Sequence, residues 1–191
     1  MNIGRNDIDW RNLSHDEIDR IIAERIEADD RRIEASGGKK PKRVGYILER
    51  IAEINNLREA DREAQDGKVK KNRFIRRHNL HPEEDLRALQ LMILTLDFPA
   101  PDYSVMKVRS DAGKVRDIVK QKYFPWRILH HAIMRVIGED IYKSLIYDTS
   151  ACIKGKGLHF GVRRMKSFLR RYPEYRWFVK TDFKKFYQSI L

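Results

Sequence analysis

The chain of 191 residues is 41% hydrophobic and 36% charged, with a formal net charge of +12; this excludes a chain disordered throughout and allows one sizeable core or two small ones. Its best apolar run, Leu89 to Leu96, is far short of the ~20 residues that span a bilayer, and Met1-Asn2-Ile3-Gly4-Arg5 lacks the apolar core of a signal peptide, so no membrane partner and a cytoplasmic location are expected. Cys152 is the single cysteine, which rules out an intrachain disulfide and a cysteine-cluster metal site.

The charge is unevenly placed. Residues 1–102 carry 20 Lys/Arg against 21 Asp/Glu, whereas residues 103–191 carry 20 against 7. A half-chain this basic repels itself unless it meets a polyanion, and nucleic-acid phosphate is the usual one.

Ser14-His15-Asp16-Glu17 is a capping-box pattern with Leu13 and Ile18 set as a hydrophobic staple, and it predicts a helix to about Ser36. Its thin apolar stripe, Ile18, Ile21, Ile22, Ile26 and Ile33, places it on the surface or against a protein partner. Gly37-Gly38-Lys39-Lys40-Pro41-Lys42 reads as a linker closing an N-terminal helical extension, residues 1–42. From Arg43 to Gln65, apolar residues at spacings of three and four predict one long helix, stopped by Gly67. Lys68 to Asn79 reads as a further helix whose many cations form a solvated face or grip phosphates. Pro82 followed by Glu83, Glu84 and Asp85 starts another, which Pro99 and Pro101 end.

The period then changes to alternation. Tyr103 to Val108 and Lys114 to Val119, joined at Ser110-Asp111-Ala112-Gly113, predict a β-hairpin carrying Lys107, Arg109, Lys114 and Arg116. Such a hairpin suits closure over a triphosphate, since guanidinium groups pair with phosphate oxygens, and it equally suits an ordinary exposed ribbon. Phe124-Pro125-Trp126-Arg127 introduces a helix to about Ile137. His130 and His131 are adjacent on it, point about 100° apart and so cannot share a ligand. The loop Asp148 to Gly157 combines glycines with Lys154 and Lys156, as at a phosphate-contacting loop, without the spacing of a Walker motif. A helix from Leu158 to Arg171 follows, with Arg163, Arg164, Lys166, Arg170 and Arg171 left for solvent or a nucleic-acid backbone. Trp177 to Thr181 reads as a buried strand delivering Asp182, a residue type that also suits a cap or turn.

In this order the segments resemble the fingers and first palm element of reverse transcriptases, the bacterial kind of diversity-generating retroelements, retrons and group II introns. Phe124 to His131 resembles that family's Phe-x-x-Arg-x-x-His-His signature. Asp148 to His159 resembles its Asp-Ser-Tyr-Ala-Cys-x-x-Gly-Lys-Gly-x-His loop, with Thr149-Ser150 in place of Ser-Tyr. Trp177 to Ile190 resembles its first palm motif. The resemblance implies an α+β chain: a helical N-terminal part, a fingers-like subdomain with a β-hairpin over residues 43–175, and the first strand of an incomplete polymerase palm over 176–191. It further implies an RNA template, a DNA primer, deoxynucleoside triphosphates and two Mg2+ ions as partners. Asp182 and the carbonyl of Phe183 would be metal ligands, with Asp182 catalytic. Arg109, Lys114, Arg116 and Tyr187 would contact the nucleotide, and Lys154, Gly155, Lys156, Gly157, Arg163 and Arg164 the nucleic acid.

The family's Tyr-x-Asp-Asp hairpin is absent, and the only adjacent aspartates, Asp29-Asp30, fall mid-helix on an expected charged surface. One carboxylate cannot hold two magnesium ions against water. The 191 residues are therefore expected to be inactive alone and to be the N-terminal piece of a longer enzyme, with a non-catalytic nucleic-acid-binding protein and one half of a split polymerase as rivals.

Overall fold

The computed structural model describes residues 8–36, 45–70, 72–109, 113 and 115–183, with residue 116 described by its backbone alone. The expected linker from Gly37 to Lys42, the hairpin turn from Ser110 to Ala112, and Lys114 and Tyr187 lie outside the described residues. Contacts divide the chain into two compact units, Met1–Asp140 and Ile141–Leu191.

In the first unit, the Glu17 amide donates to Ser14 Oγ at 3.3 Å and the Ser14 amide donates to Glu17 Oε2 at 2.8 Å. This reciprocal cap starts α1, His15–Ala35. Two helices follow where periodicity predicts one: α2 (Ile47–Ala52) and α3 (Ile54–Gln65). Glu53 between them is extended, with ψ 129°. Asn56 Nδ2 donates to the Ile51 carbonyl at 3.1 Å, so the break leaves that acceptor satisfied, and the same amide reaches the Ala132 carbonyl at 3.2 Å. The spacing of three and four runs unbroken across Glu53, which hides the break from the sequence.

The expected helix from Lys68 shrinks to α4, Arg73–His78, capped by the Asn72 side chain on the Phe74 amide. Next, α5 (Pro82–Thr95) opens on Pro82 and three acidic residues and closes on Leu96 in the left-handed region. It is the central element: Leu86, Leu89 and Ile93 are buried in one core cluster with Ile51 and Ala52 of α2, Leu57 of α3 and Ile18 and Ile22 of α1. Full burial of one such aliphatic side chain contributes about 1.5–3 kcal/mol. Buried Gln90 keeps its amide paired, donating to Ala52 O and to Asp19 Oδ1, each at 3.0 Å.

Asp29 departs from its expected surface position. It is buried and holds Arg32 at 2.6 Å, the Gly45 amide at 3.0 Å and Arg50 at 3.3 Å. A Cβ at Gly45 would fall 2.7 Å from Asp29 Oδ1, so this close approach needs glycine. The carboxylate thereby ties α1 to the start of α2.

The hairpin forms as predicted, β1 (Tyr103–Arg109) antiparallel to β2 (Val115–Gln121), with Val105 opposite Val119 and Val108 opposite Arg116. Alternation therefore puts position 116 on the opposite face from Arg109, which pairs with Val115. At its base Lys122 meets Asp102 at 2.6 Å. A single turn, Tyr123–Arg127, then enters α6, Ile128–Ser144. Along α6, His130 is exposed, whereas His131 is half-buried, 3.7 Å from Glu63.

Tyr123 plugs a buried polar network. Its hydroxyl donates to Asp61 Oδ1 at 2.5 Å and to the Asp61 carbonyl at 3.1 Å, while Gln65 donates to Asp61 Oδ2 at 2.8 Å. His78, only 3% exposed, places Nδ1 2.6 Å from Asp85 and Nε2 3.2 Å from Asp61, the latter off the line of a hydrogen bond. Its ring also stacks on Phe124. Burial opposes charge on His78, but the two carboxylates outweigh it and raise its pKa. Burial likewise opposes charge on Asp61, yet hydrogen bonding from its partners holds that carboxyl below its usual range. Burial and the neighbouring carboxylate push the Tyr123 hydroxyl up.

The second unit consists of a loop, α7 (Leu158–Arg171), and a tail from Tyr172 to Phe183 without regular structure. The expected palm strand does not form: Trp177 is 92% and Val179 89% exposed. A strand of β-formers needs a neighbour to pair with, and among the described residues only β1 and β2 pair.

Candidate nucleic-acid interface

The glycine-lysine-glycine loop folds back on α7 through two cations. Lys156 Nζ donates to the Tyr147 carbonyl at 2.6 Å and lies 4.7 Å from the Tyr147 ring centroid and 5.0 Å from that of Phe160. Arg164 forms a two-pronged pair with Asp148 and lies 5.0 Å from the Tyr147 ring and 4.9 Å from that of Phe168. Tyr147 is thus flanked by both cations, and Phe160 meets it edge-on. Hydrogen bonding to Arg164 lowers the Asp148 pKa, and the same contact raises that of Arg164.

Chemically, the cluster orders the loop, with Asp148 neutralising Arg164. Lys156 and Arg164, both expected to meet nucleic acid, are engaged inside the unit. Lys154 and Gly155 are exposed, and Gly155 takes a left-handed φ of 78°, which favours glycine at the loop tip. Arg163 is exposed on another side of α7. The sequence reading missed Tyr147 and Phe160, whose rings reach Lys156 only because the loop folds back on α7.

The inner side of α7 and the tail enclose an apolar groove of about 520 Å³, lined by Met165, Phe168, Leu169, Tyr172, Trp177 and Phe178 among others, with Asp148 and Arg164 at its polar part. Beyond it, Asp182 is exposed, and so is Phe183. One carboxylate and one carbonyl have the oxygen character that magnesium prefers, but a two-ion centre needs more of them. Among the described residues no group of three or more His, Cys, Asp or Glu side chains is placed to hold a metal, so they do not fit a two-ion centre by themselves.

Of the expected nucleotide-contacting residues, Arg109 lies on the exposed hairpin, and the register sets position 116 on its other face. No helix of the described residues is long and apolar enough to cross a membrane. No known protein-family model matches the chain, and no curated protein matches its sequence.

Proposed function

We propose that the chain is the fingers-bearing part of an RNA-directed DNA polymerase, acting with an RNA template, a DNA primer and deoxynucleoside triphosphates. The observation that carries this reading is the convergence of the signature-like loop. Asp148 and Lys156, far apart in their segment, meet Arg164 of the basic helix around Tyr147. The exposed basic hairpin directly before the Phe124-Pro125-Trp126-Arg127 entry adds support. In this reading Asp182 supplies one metal-ligating carboxylate, and the others lie outside these 191 residues.

The test is primer extension on an RNA template by the entire polypeptide encoded by the gene, with magnesium present. Asp182→Ala is expected to abolish extension and leave RNA affinity nearly unchanged. Extension that survives the substitution refutes the role of Asp182. A second reading, a nucleic-acid-binding protein without chemistry, is favoured by the solvent-exposed position of Asp182. It expects RNA binding and no extension from any form of the protein.

A further inference from the structure

Several arginines of this protein are matched to carboxylates. Arg25 meets Glu49, Arg50 meets Asp29 and Asp30, Arg58 meets Glu83, and Arg164 meets Asp148. On the outer face of α7, cations gather without such partners. Arg163, Lys166, Arg170 and Arg171 are exposed there, and none makes an ion pair among the described residues.

At 3.6 residues per turn these four, with Ser167 between them, fall within an arc of about 140° and extend about 12 Å along the axis. They line a shallow concavity of their own, of about 550 Å³, built from those five residues. Its lining includes no carboxylate and no apolar residue, and the apolar side of the helix faces the other way, into the groove lined by Met165, Phe168 and Leu169.

We propose that this outer face of α7, rather than the glycine-lysine-glycine loop, is the track that grips the sugar-phosphate backbone of a nucleic-acid strand. A row of arginine forks, a lysine and a hydroxyl is the donor set that contacts phosphate oxygens without reading bases. An acidic protein partner fits less well, because a protein interface is centred on aromatic and aliphatic side chains, and none of these five residues is one. The Lys156 and Arg164 cluster has the supporting part: it fixes the loop to the helix, with Arg164 neutralised by Asp148 and Lys156 held by a carbonyl and two rings. The inference deepens the nucleic-acid part of the proposed function and is independent of Asp182.

The test is binding of a labelled single-stranded RNA to the 191-residue chain, titrated across a range of salt concentrations. Each phosphate contact on a single strand contributes about 0.7 to the slope of log affinity against log salt. Replacing Arg163, Lys166 and Arg170 together by glutamine, a good helix former, is expected to flatten the slope by about 2. That corresponds to about a hundredfold loss at 0.1 M salt relative to 1 M. The matched control replaces Arg73, Arg76 and Arg77 of α4, which are also exposed, and removes the same charge; its slope is expected to stay at the wild-type value. Lysine at 163 and 170 with Lys166 intact is expected to retain the slope.

Equal losses in the two triple variants reduce the effect to net charge and overturn the proposal while leaving RNA binding in place. Unlabelled polyglutamate that displaces RNA as well as unlabelled RNA does also overturns it. Absence of salt-dependent binding by the wild-type chain overturns both this inference and the nucleic-acid reading beneath it. The polymerase reading is decided separately by extension with Asp182→Ala.

Discussion

His78 makes the stability of the first unit depend on pH in a direction that its surroundings determine. The imidazole is buried between Asp85 on α5 and Asp61 on α3, with Tyr123 and Gln65 completing the shell around Asp61. Opposite charges about 4 Å apart attract by about 4 kcal/mol at an effective dielectric constant near 20. Desolvation costs several kcal/mol per buried ion, so the intact pairs contribute little net, whereas removing one partner costs about 3–5 kcal/mol. Asp85 is partly exposed, which puts the expected cost of His78→Gln at the low end, about 3 kcal/mol. Because the folded-state pKa of His78 is raised, its contribution is full below its ordinary value of 6.5 and is lost as pH rises through the folded value. Asp61 acts oppositely: its pKa is lowered, so its contribution is present above 3.8 and fades as pH falls through the folded value. Urea unfolding followed by the fluorescence of Trp10 and Trp126 should show stability falling as the wild-type protein is taken from pH 6.5 into the alkaline range. His78→Gln should be less stable at pH 6.5 and nearly flat over the same range. Parallel profiles for the two proteins refute the reasoning, because they place the titrating group elsewhere.

Two further outcomes follow from close contacts. Gly45→Ala forces a Cβ against the Asp29 carboxylate at 2.7 Å, and urea unfolding should register a loss of about 1–3 kcal/mol. Asp29→Ala in the same background should remove the clash, so the double variant should be less destabilised than the sum of the singles. Asp148→Asn removes the charge that holds Arg164 while preserving the shape, and the loop from Leu145 to Gly157 should become a faster site of limited proteolysis. An unchanged cleavage rate contradicts the ordering role of that pair.

The sequence carried most of the helical framework, because caps and periodicity are local. Ser14 with Glu17, Pro82 with its acidic turn, and the helix from Leu158 to Arg171 all lie where their residues place them. What it hid was decided by contacts between distant residues. Asp29 reads as one charge among many on α1, and only the return of the chain at Gly45 and Arg50 buries it. His78 sits in a basic run that looks solvated, and its carboxylate partners are 17 residues before it and 7 after it in sequence. The strand around Trp177 failed for the opposite reason. Its residues favour extended structure, but propensity forms no sheet without a partner edge, and the tail instead leaves its rings beside the apolar side of α7.

The charge of the second half can be resolved in the same way. Counting cations makes the glycine-lysine-glycine loop and α7 equally good phosphate binders, but electrostatic attraction to a ligand is available only from charge not already neutralised nearby. Arg164 faces Asp148, and Lys156 is held by a carbonyl and two rings. Pulling either toward a phosphate gives up those contacts, whereas Arg163, Lys166 and Arg170 give up only hydration. Under the proposal, a polyanion is gripped where these cations lie together on one face of α7, beside the more scattered Lys154, Arg176 and Lys180. The groove on the other side of α7 is apolar, so it demands a different occupant. If a strand is held on the outer face as proposed, that groove and the segment bearing Asp182 stay accessible, so binding and any chemistry at Asp182 can be separated by substitution.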